Sequence, residues 1–270
     1  MTKFFYQTEL DDFKATAHWL ALRGWSEAAG GNMSIRLDCQ DSSLADLPED
    51  DHIKLPVDVP YLAGKAVLLT GSGTRAREIG VDPLPHIGLY KISEDGRHYG
   101  WVAGNNNPSM ELPAHFAIHN TLERHRPEDK AVLHTHPVSL IALCHMPEFN
   151  NGFNNAKTIS DKILSMQSEA RLILPEGIGF VKHELPGSLE LGLKSALELK
   201  RHHLVLWQYH GLLATGETLA GAFDKVEVLE KSAQIYWQVL VAGLDPKGIK
   251  KAEIKHTLKA FGRLERYFPD

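Results

Sequence analysis

The chain has 270 residues, 43% of them hydrophobic and 23% charged, with a formal net charge of -5 when its 15 histidines are counted as neutral. Such a chain can bury a large core, and its acidic balance with no long basic run argues against nucleic acid or an anionic membrane as partner. The two cysteines, Cys39 and Cys144, have no paired spacing, so neither a disulfide framework nor a thiolate zinc site is expected.

No Pro/Gly/Ser linker or low-complexity block divides the sequence, so residues 1–270 read as one domain. Glu9, Asp11 and Asp12 stand where a signal peptide needs an apolar core, and no run of about 18 apolar residues occurs. A cytoplasmic location is expected.

In chain order, Leu10, Phe13, Ala17, Leu20 and Ala21 recur at helical spacing and stop at Gly24, a helix with a glycine end. Ala28-Ala29-Gly30-Gly31-Asn32 follows. Met33, Ile35 and Leu37 then alternate with Ser34, Arg36 and Asp38, the period of a half-buried strand. Residues 38–58 are polar and aperiodic and read as a surface excursion. A short buried strand, 66–70, runs into a second glycine-bearing turn, Thr70-Gly71-Ser72-Gly73-Thr74, and residues 86–92 and 98–102 around Glu94-Asp95-Gly96 predict a hairpin.

Leu112, Phe116, Ala117 and Leu122 mark a helix beginning near Ser109; a strand at 131–136 and a short apolar helix at 137–145 come next. Ile159, Ile163, Leu164 and Met166 mark a helix ending near Ser168, and strands are expected at 171–175 and 178–182. The remainder reads as helix 189–200, strand 203–207, long helix 219–241 and helix 251–261. Mixed strands and helices with hairpins and short connections predict a layered α/β domain with a mixed sheet.

With 15 histidines present, an H-x-H pair alone says little, but the position of His134 and His136 is informative. They close the apolar run Ala131-Val132-Leu133 and precede Pro137, which suits the first turn of a helix. Residues two apart on a strand point to one face, so both imidazoles can grip one ion. His210 follows another strand-like run, and Gly211 lets the chain turn there. Three neutral imidazoles with one open position is how catalytic zinc is commonly held. His115, His119, His145, His202 and His203 lie on expected helices or their ends and read as surface or packing residues.

Taken together, Gly30-Gly31-Asn32-Met33-Ser34, Thr70-Gly71-Ser72-Gly73, Ser109-Met110-Glu111-Leu112-Pro113-Ala114-His115, His134-Thr135-His136-Pro137 and His210-Gly211 resemble the class II aldolase/adducin family in order and spacing, over most of the chain. Gly24-Trp25, Leu204-Val205-Leu206-Trp207 and Glu230-Lys231-Ser232-Ala233-Gln234 strengthen the likeness to its sugar-phosphate aldolases. The resemblance implies a single three-layer α/β/α domain with a mixed, largely antiparallel central sheet. It also implies one Zn2+ per subunit on His134, His136 and His210, with Glu111 as the catalytic carboxylate and a small sugar phosphate as substrate. A homotetramer with sites between subunits is implied as well, and Glu169 falls where these enzymes carry a second acid that reaches a neighbouring subunit's site. Relatives with a similar triad include a pentulose-phosphate 4-epimerase and a methylthioribulose-phosphate dehydratase. The adducin head shares the fold as a noncatalytic module, against which the retained histidines and Glu111 speak.

The chemistry agrees with these roles. In the synthetic direction a carboxylate must remove a proton from carbon, and a glutamate of pKa about 4.3 is far too weak a base for that alone. Bound zinc lowers the pKa of its water from about 15.7 to about 7, roughly 12 kcal/mol of help for an attached oxyanion, so Glu111 needs only to sit within reach of the proton. A first-turn acid would also favour the positive helix end, and a capping box would place its acid at position 112, which is Leu112. For a phosphate, the glycine turns around Gly31 and Gly71 offer backbone N–H groups, and Asn32, Ser72 and Ser109 offer side-chain donors; the same glycines also suit plain tight turns. The chain departs from its relatives at Ala29, where Asn is usual, and at Met110, where Ser is usual, each change removing a polar group beside the expected pocket.

Overall fold

A computed structural model describes residues 6–37, 52–150 and 155–267, so Cys39 and most of the 38–58 excursion lie outside the described residues. The described strands form one nine-stranded sheet in the order β2-β5-β4-β3-β1-β6-β9-β8-β7. Its strands are β1 (Asn32–Leu37), β2 (Ile53–Lys54), β3 (Ala66–Thr70), β4 (Ile87–Ile92), β5 (His98–Gly104), β6 (Ala131–Thr135), β7 (Gly179–Val181), β8 (Leu204–Trp207) and β9 (Gly211–Gly216). Only β7 and β8 pair in parallel; the other neighbours are antiparallel. The sheet is therefore mixed and largely antiparallel.

Helices cover both faces. On one side lie α1 (Gln7–Arg23), α4 (Val138–Leu143), α5 (Asn155–Ile163), α6 (Ser168–Ile173) and the long α8 (Leu219–Val241), packed over Ile35, Leu68, Leu133, Leu206 and Leu212. On the other, α3 (Leu112–His125) and α7 (Leu189–Glu198) cover Val67, Leu69, Val132, Val205 and Leu213. The central strands are buried on both faces, which is why 131–133 and 204–207 read as unbroken apolar runs. Two further helices, α2 (Ala76–Ile79) and α9 (Lys251–Ala260), pack on α1 and α6. No described helix is long and apolar enough to cross a membrane.

Helix α1 ends as its sequence implies: Gly24 takes φ 67° and its N–H returns to Ala21. Other expectations are corrected. Residues 171–175 are not a strand, because Ser168–Ile173 forms α6, in which Arg171 is buried and donates to the Ser160 carbonyl at 2.7 Å. Helix α5 accordingly stops at Ile163, and α3 starts at Leu112 rather than near Ser109. β9 and α2 are additional elements; β9 shows no alternation because every residue in it is buried. β1 is not half-buried, since Ser34 and Arg36 are as buried as the apolar phase, under α3.

Candidate metal centre

The centre of the sheet brings the three histidines together. Antiparallel pairing sets His134 opposite Asn32 on β1 and opposite Leu213 on β9, so the β6 end lies beside the β8–β9 turn. That turn carries His210 after Tyr209, a non-glycine residue at φ 61°, and Tyr209 receives a hydrogen bond from Asn150. Gly211 is required by close approach: a Cβ there would lie 2.6 Å from the Thr135 carbonyl oxygen and 2.8 Å from His136 Cδ2. The 25–31 loop is tied to the same place. His136 N–H donates to the Trp25 carbonyl at 2.8 Å, and Gly31, at φ 76°, approaches the His134 carbonyl so closely that a Cβ would sit 2.7 Å from its oxygen.

The ligand atoms of His134, His136 and His210 all fall within 4.8 Å of one another. His134 Nδ1 donates to the Leu212 carbonyl at 3.1 Å and His136 Nδ1 donates to Glu27 Oε1 at 2.8 Å. With both rings neutral, both Nε2 atoms are then lone-pair nitrogens, and they face each other at 3.2 Å. Two acceptors at that distance repel unless a proton or a metal ion lies between them, and the spacing is near the roughly 3.3 Å that nitrogens keep around a tetrahedral ion at about 2.0–2.1 Å. His210 adds a buried Nδ1 with no hydrogen-bond partner among the described residues. Burial, then the neighbouring His136 and His210, hold the His134 imidazole well below its ordinary pKa, and burial likewise lowers His210 against the opposing charge of Glu111. Neutral imidazoles are the ligand form. The triad fits a metal ion.

Glu111 is the N-cap residue of α3, not a first-turn acid, and its side chain does not cap the helix. Its Oε2 instead accepts from Asn32 Nδ2 at 2.9 Å, and its N–H donates to Ser109 Oγ at 3.2 Å. Ser72 N–H donates to the Asn107 carbonyl and Ser109 N–H to the Thr70 carbonyl, so the two polar turns lie side by side. Gly31, Asn32, Ser72, Ser109 and Glu111 are thus linked into one neighbourhood around the β1 and β3 ends. Ala29 and Met110, the two departures, are exposed at its edge. Glu169 is separate: it is exposed on α6, and among the described residues no hydrogen bond or ion pair joins it to this group.

Several residues go beyond the sequence reading. Glu27 orients His136, and the backing of Asn32 is a buried polar cluster. His115 Nε2 bonds Asn32 Oδ1, Ser34 Oγ lies 2.6 Å from His115 Nδ1, and it lies 2.7 Å from His119 Nε2. His115 and His119 are therefore buried members of a polar network. Their four-residue spacing on α3 was the available signal, since it puts both on one helix face.

Comparison with known proteins agrees with this geometry. The profile of the "Class II Aldolase and Adducin N-terminal domain" matches residues 11–237. The rhamnulose-1-phosphate aldolase of Citrobacter koseri is 33% identical over 260 residues, covering 93% of this chain and 90% of the relative. That of an Enterobacter species is 34% identical, covering 90% and 87%. Among solved structures, a sugar-phosphate aldolase from Thermotoga maritima superposes with a TM-score of 0.77 at 35% identity, covering 90% of this chain and 99% of that one. The chain belongs to the class II aldolase and adducin family.

Proposed function

We propose that this protein is a zinc-dependent aldolase that reversibly cleaves L-rhamnulose 1-phosphate to dihydroxyacetone phosphate and L-lactaldehyde. The observation that carries the reading is the pair of lone-pair Nε2 atoms of His134 and His136 at 3.2 Å, with His210 and Glu111 beside them. The 33% and 34% identical relatives with that named activity support the substrate. One zinc ion on His134, His136 and His210 would supply positive charge where the cleaved ketose leaves negative charge on oxygen.

The chain's own groups do the rest. Cleavage removes the proton of the carbinol that becomes the aldehyde, and the electron pair of the broken carbon–carbon bond stays on the ketone fragment. Glu111 returns a proton to that carbon, and removes it in synthesis. Asn32 holds the Glu111 carboxylate by its amide N–H. The backbone at Gly31, with the side chains of Asn32, Ser72 and Ser109, offers the substrate phosphate a neutral set of donors. Glu169 acts across a subunit boundary in a homotetramer as the proton carrier for the aldehyde oxygen, which accounts for an acid so detached from the site within one chain.

The test is incubation of metal-loaded protein with rhamnulose, fuculose and methylthioribulose 1-phosphates, reading dihydroxyacetone phosphate. Release from rhamnulose 1-phosphate is expected. Release from none removes the aldolase reading, and protein without stoichiometric metal would make the chain a noncatalytic module instead.

A further inference from the structure

Behind Glu111 runs a chain of side-chain hydrogen bonds: Glu111 to Asn32, Asn32 to His115, His115 to Ser34, Ser34 to His119. Ser34 and His119 are fully buried and His115 is nearly so, at 1% exposure. We propose that His115 is a positioning residue, fixing the Asn32 amide so that its N–H, and not its carbonyl, faces Glu111. This inference rests on the reading of Glu111 as the proton-carrying group.

With both imidazoles neutral, donor and acceptor valences leave one assignment. A carboxylate only accepts, so Asn32 Nδ2 must face Glu111 and Asn32 Oδ1 must face His115. His115 Nε2 therefore carries the proton, and its Nδ1 is a lone pair that must accept from Ser34 Oγ at 2.6 Å. The Ser34 oxygen then accepts from His119 Nε2 at 2.7 Å. His119 Nδ1 is the remaining lone pair, buried with no partner among the described residues.

An imidazolium at His115 would offer a proton at Nδ1 and reverse the Ser34 hydroxyl. Burial opposes that form, holding the His115 pKa at about 4. The other neutral tautomer would set a lone pair against Asn32 Oδ1, and an amide flip in response would turn a carbonyl toward the carboxylate. Each link thus forbids the next one's alternative. Because the far end at His119 is buried and has no partner among the described residues, those residues offer no exit for a proton; the chain holds an orientation and does not conduct.

Two substitutions keep opposite halves of the imidazole. In His115→Gln the amide N–H reaches the Nε2 position and can still donate to Asn32. In His115→Asn the shorter side chain reaches only the Nδ1 position, which keeps a partner for Ser34 and leaves Asn32 unsupported. With metal-loaded enzyme, His115→Gln is expected to keep kcat within about threefold of wild type, and His115→Asn to lose about tenfold or more, the scale of one oriented hydrogen bond. KM and metal stoichiometry should stay put in both. Equal kcat for the two variants, or a change in KM alone, overturns the proposal. Long-range 1H–15N NMR of the wild-type holoenzyme gives a readout independent of turnover and of variant folding. His115 and His119 should both be neutral with the proton on Nε2; a proton on His115 Nδ1 overturns the inference whatever the substrate proves to be.

Discussion

Replacing Gly211 by Ala asks whether the β8–β9 turn sets the metal geometry. The added Cβ would lie 2.6 Å from the Thr135 carbonyl oxygen, 2.8 Å from His136 Cδ2 and 3.0 Å from His134 Cε1. Carbon atoms rest about 3.5–4.0 Å apart, so the turn must move away from the β6 end, or the two rings from it, by roughly 0.7 Å. A functional constellation tolerates only about 0.5 Å of misplacement. Zinc affinity should therefore fall by about 10- to 100-fold, the scale seen when the orientation of ligands is disturbed, with about 1–3 kcal/mol of overpacking on top. Chelator competition measures the first and thermal unfolding of the metal-free protein the second. Gly24→Ala is the control: its φ of 67° makes a side chain costly, but nothing lies within 4 Å, so stability should drop without loss of metal affinity. If Gly211→Ala bound zinc within twofold of wild type, the turn would have no part in placing the ligands.

Glu27→Gln keeps an acceptor for His136 Nδ1 but removes the charge, and because the Glu27 side chain is 67% exposed the loss of metal affinity should sit near the low end, about tenfold; unchanged affinity by chelator competition would remove Glu27 from the site. Glu176 gives a pH dependence. Burial pushes its pKa up, but the hydrogen bond and charge of His203, with the Arg266 charge, outweigh that and hold it below the ordinary carboxylate range. The stabilisation is present in full above about pH 4.3 and is lost as pH falls through the lowered folded value. Unfolding midpoints between pH 6 and pH 3 should therefore fall more steeply for wild type than for Glu176→Gln, and parallel slopes would contradict it.

Much of the fold was legible because periodicity reports burial. The α1 stripe with its Gly24 stop, the 87–104 hairpin and the long α8 follow from spacing alone. The failures share a cause. Residues 211–216 and 171–175 are short apolar stretches in which strand and helix look alike, and only tertiary partners separate β9 from α6. Arg171 shows what decides the second case: its guanidinium is buried, and its Nη2 donates to the Ser160 carbonyl and to Asp161 Oδ1, partners on α5 outside the segment itself.

The clustering of the three histidines was legible because a strand's period of two carries both histidines of H-x-H to one place, and a glycine marked the turn that brings in the third. The polar backing was not, because an alternating strand looks half-solvated whether its polar phase meets water or a polar helix face. Here it meets α3. Glu111, His115, His119 and Glu123 recur every four residues and face Asn32, Ser34 and Arg36, which recur every two; Arg36 Nε closes the series on Glu123 at 2.8 Å. Four helical residues rise about 6.0 Å and two strand residues about 6.6–6.8 Å, so the two rows stay in step over several rungs. Buried polar groups need partners, and this near-match of repeats brings most of the two rows within pairing distance. A polar i, i+4 row on a helix therefore points to a polar i, i+2 row on the strand beneath it, and the end of such a ladder is a stiff place from which to hold the Glu111 carboxylate.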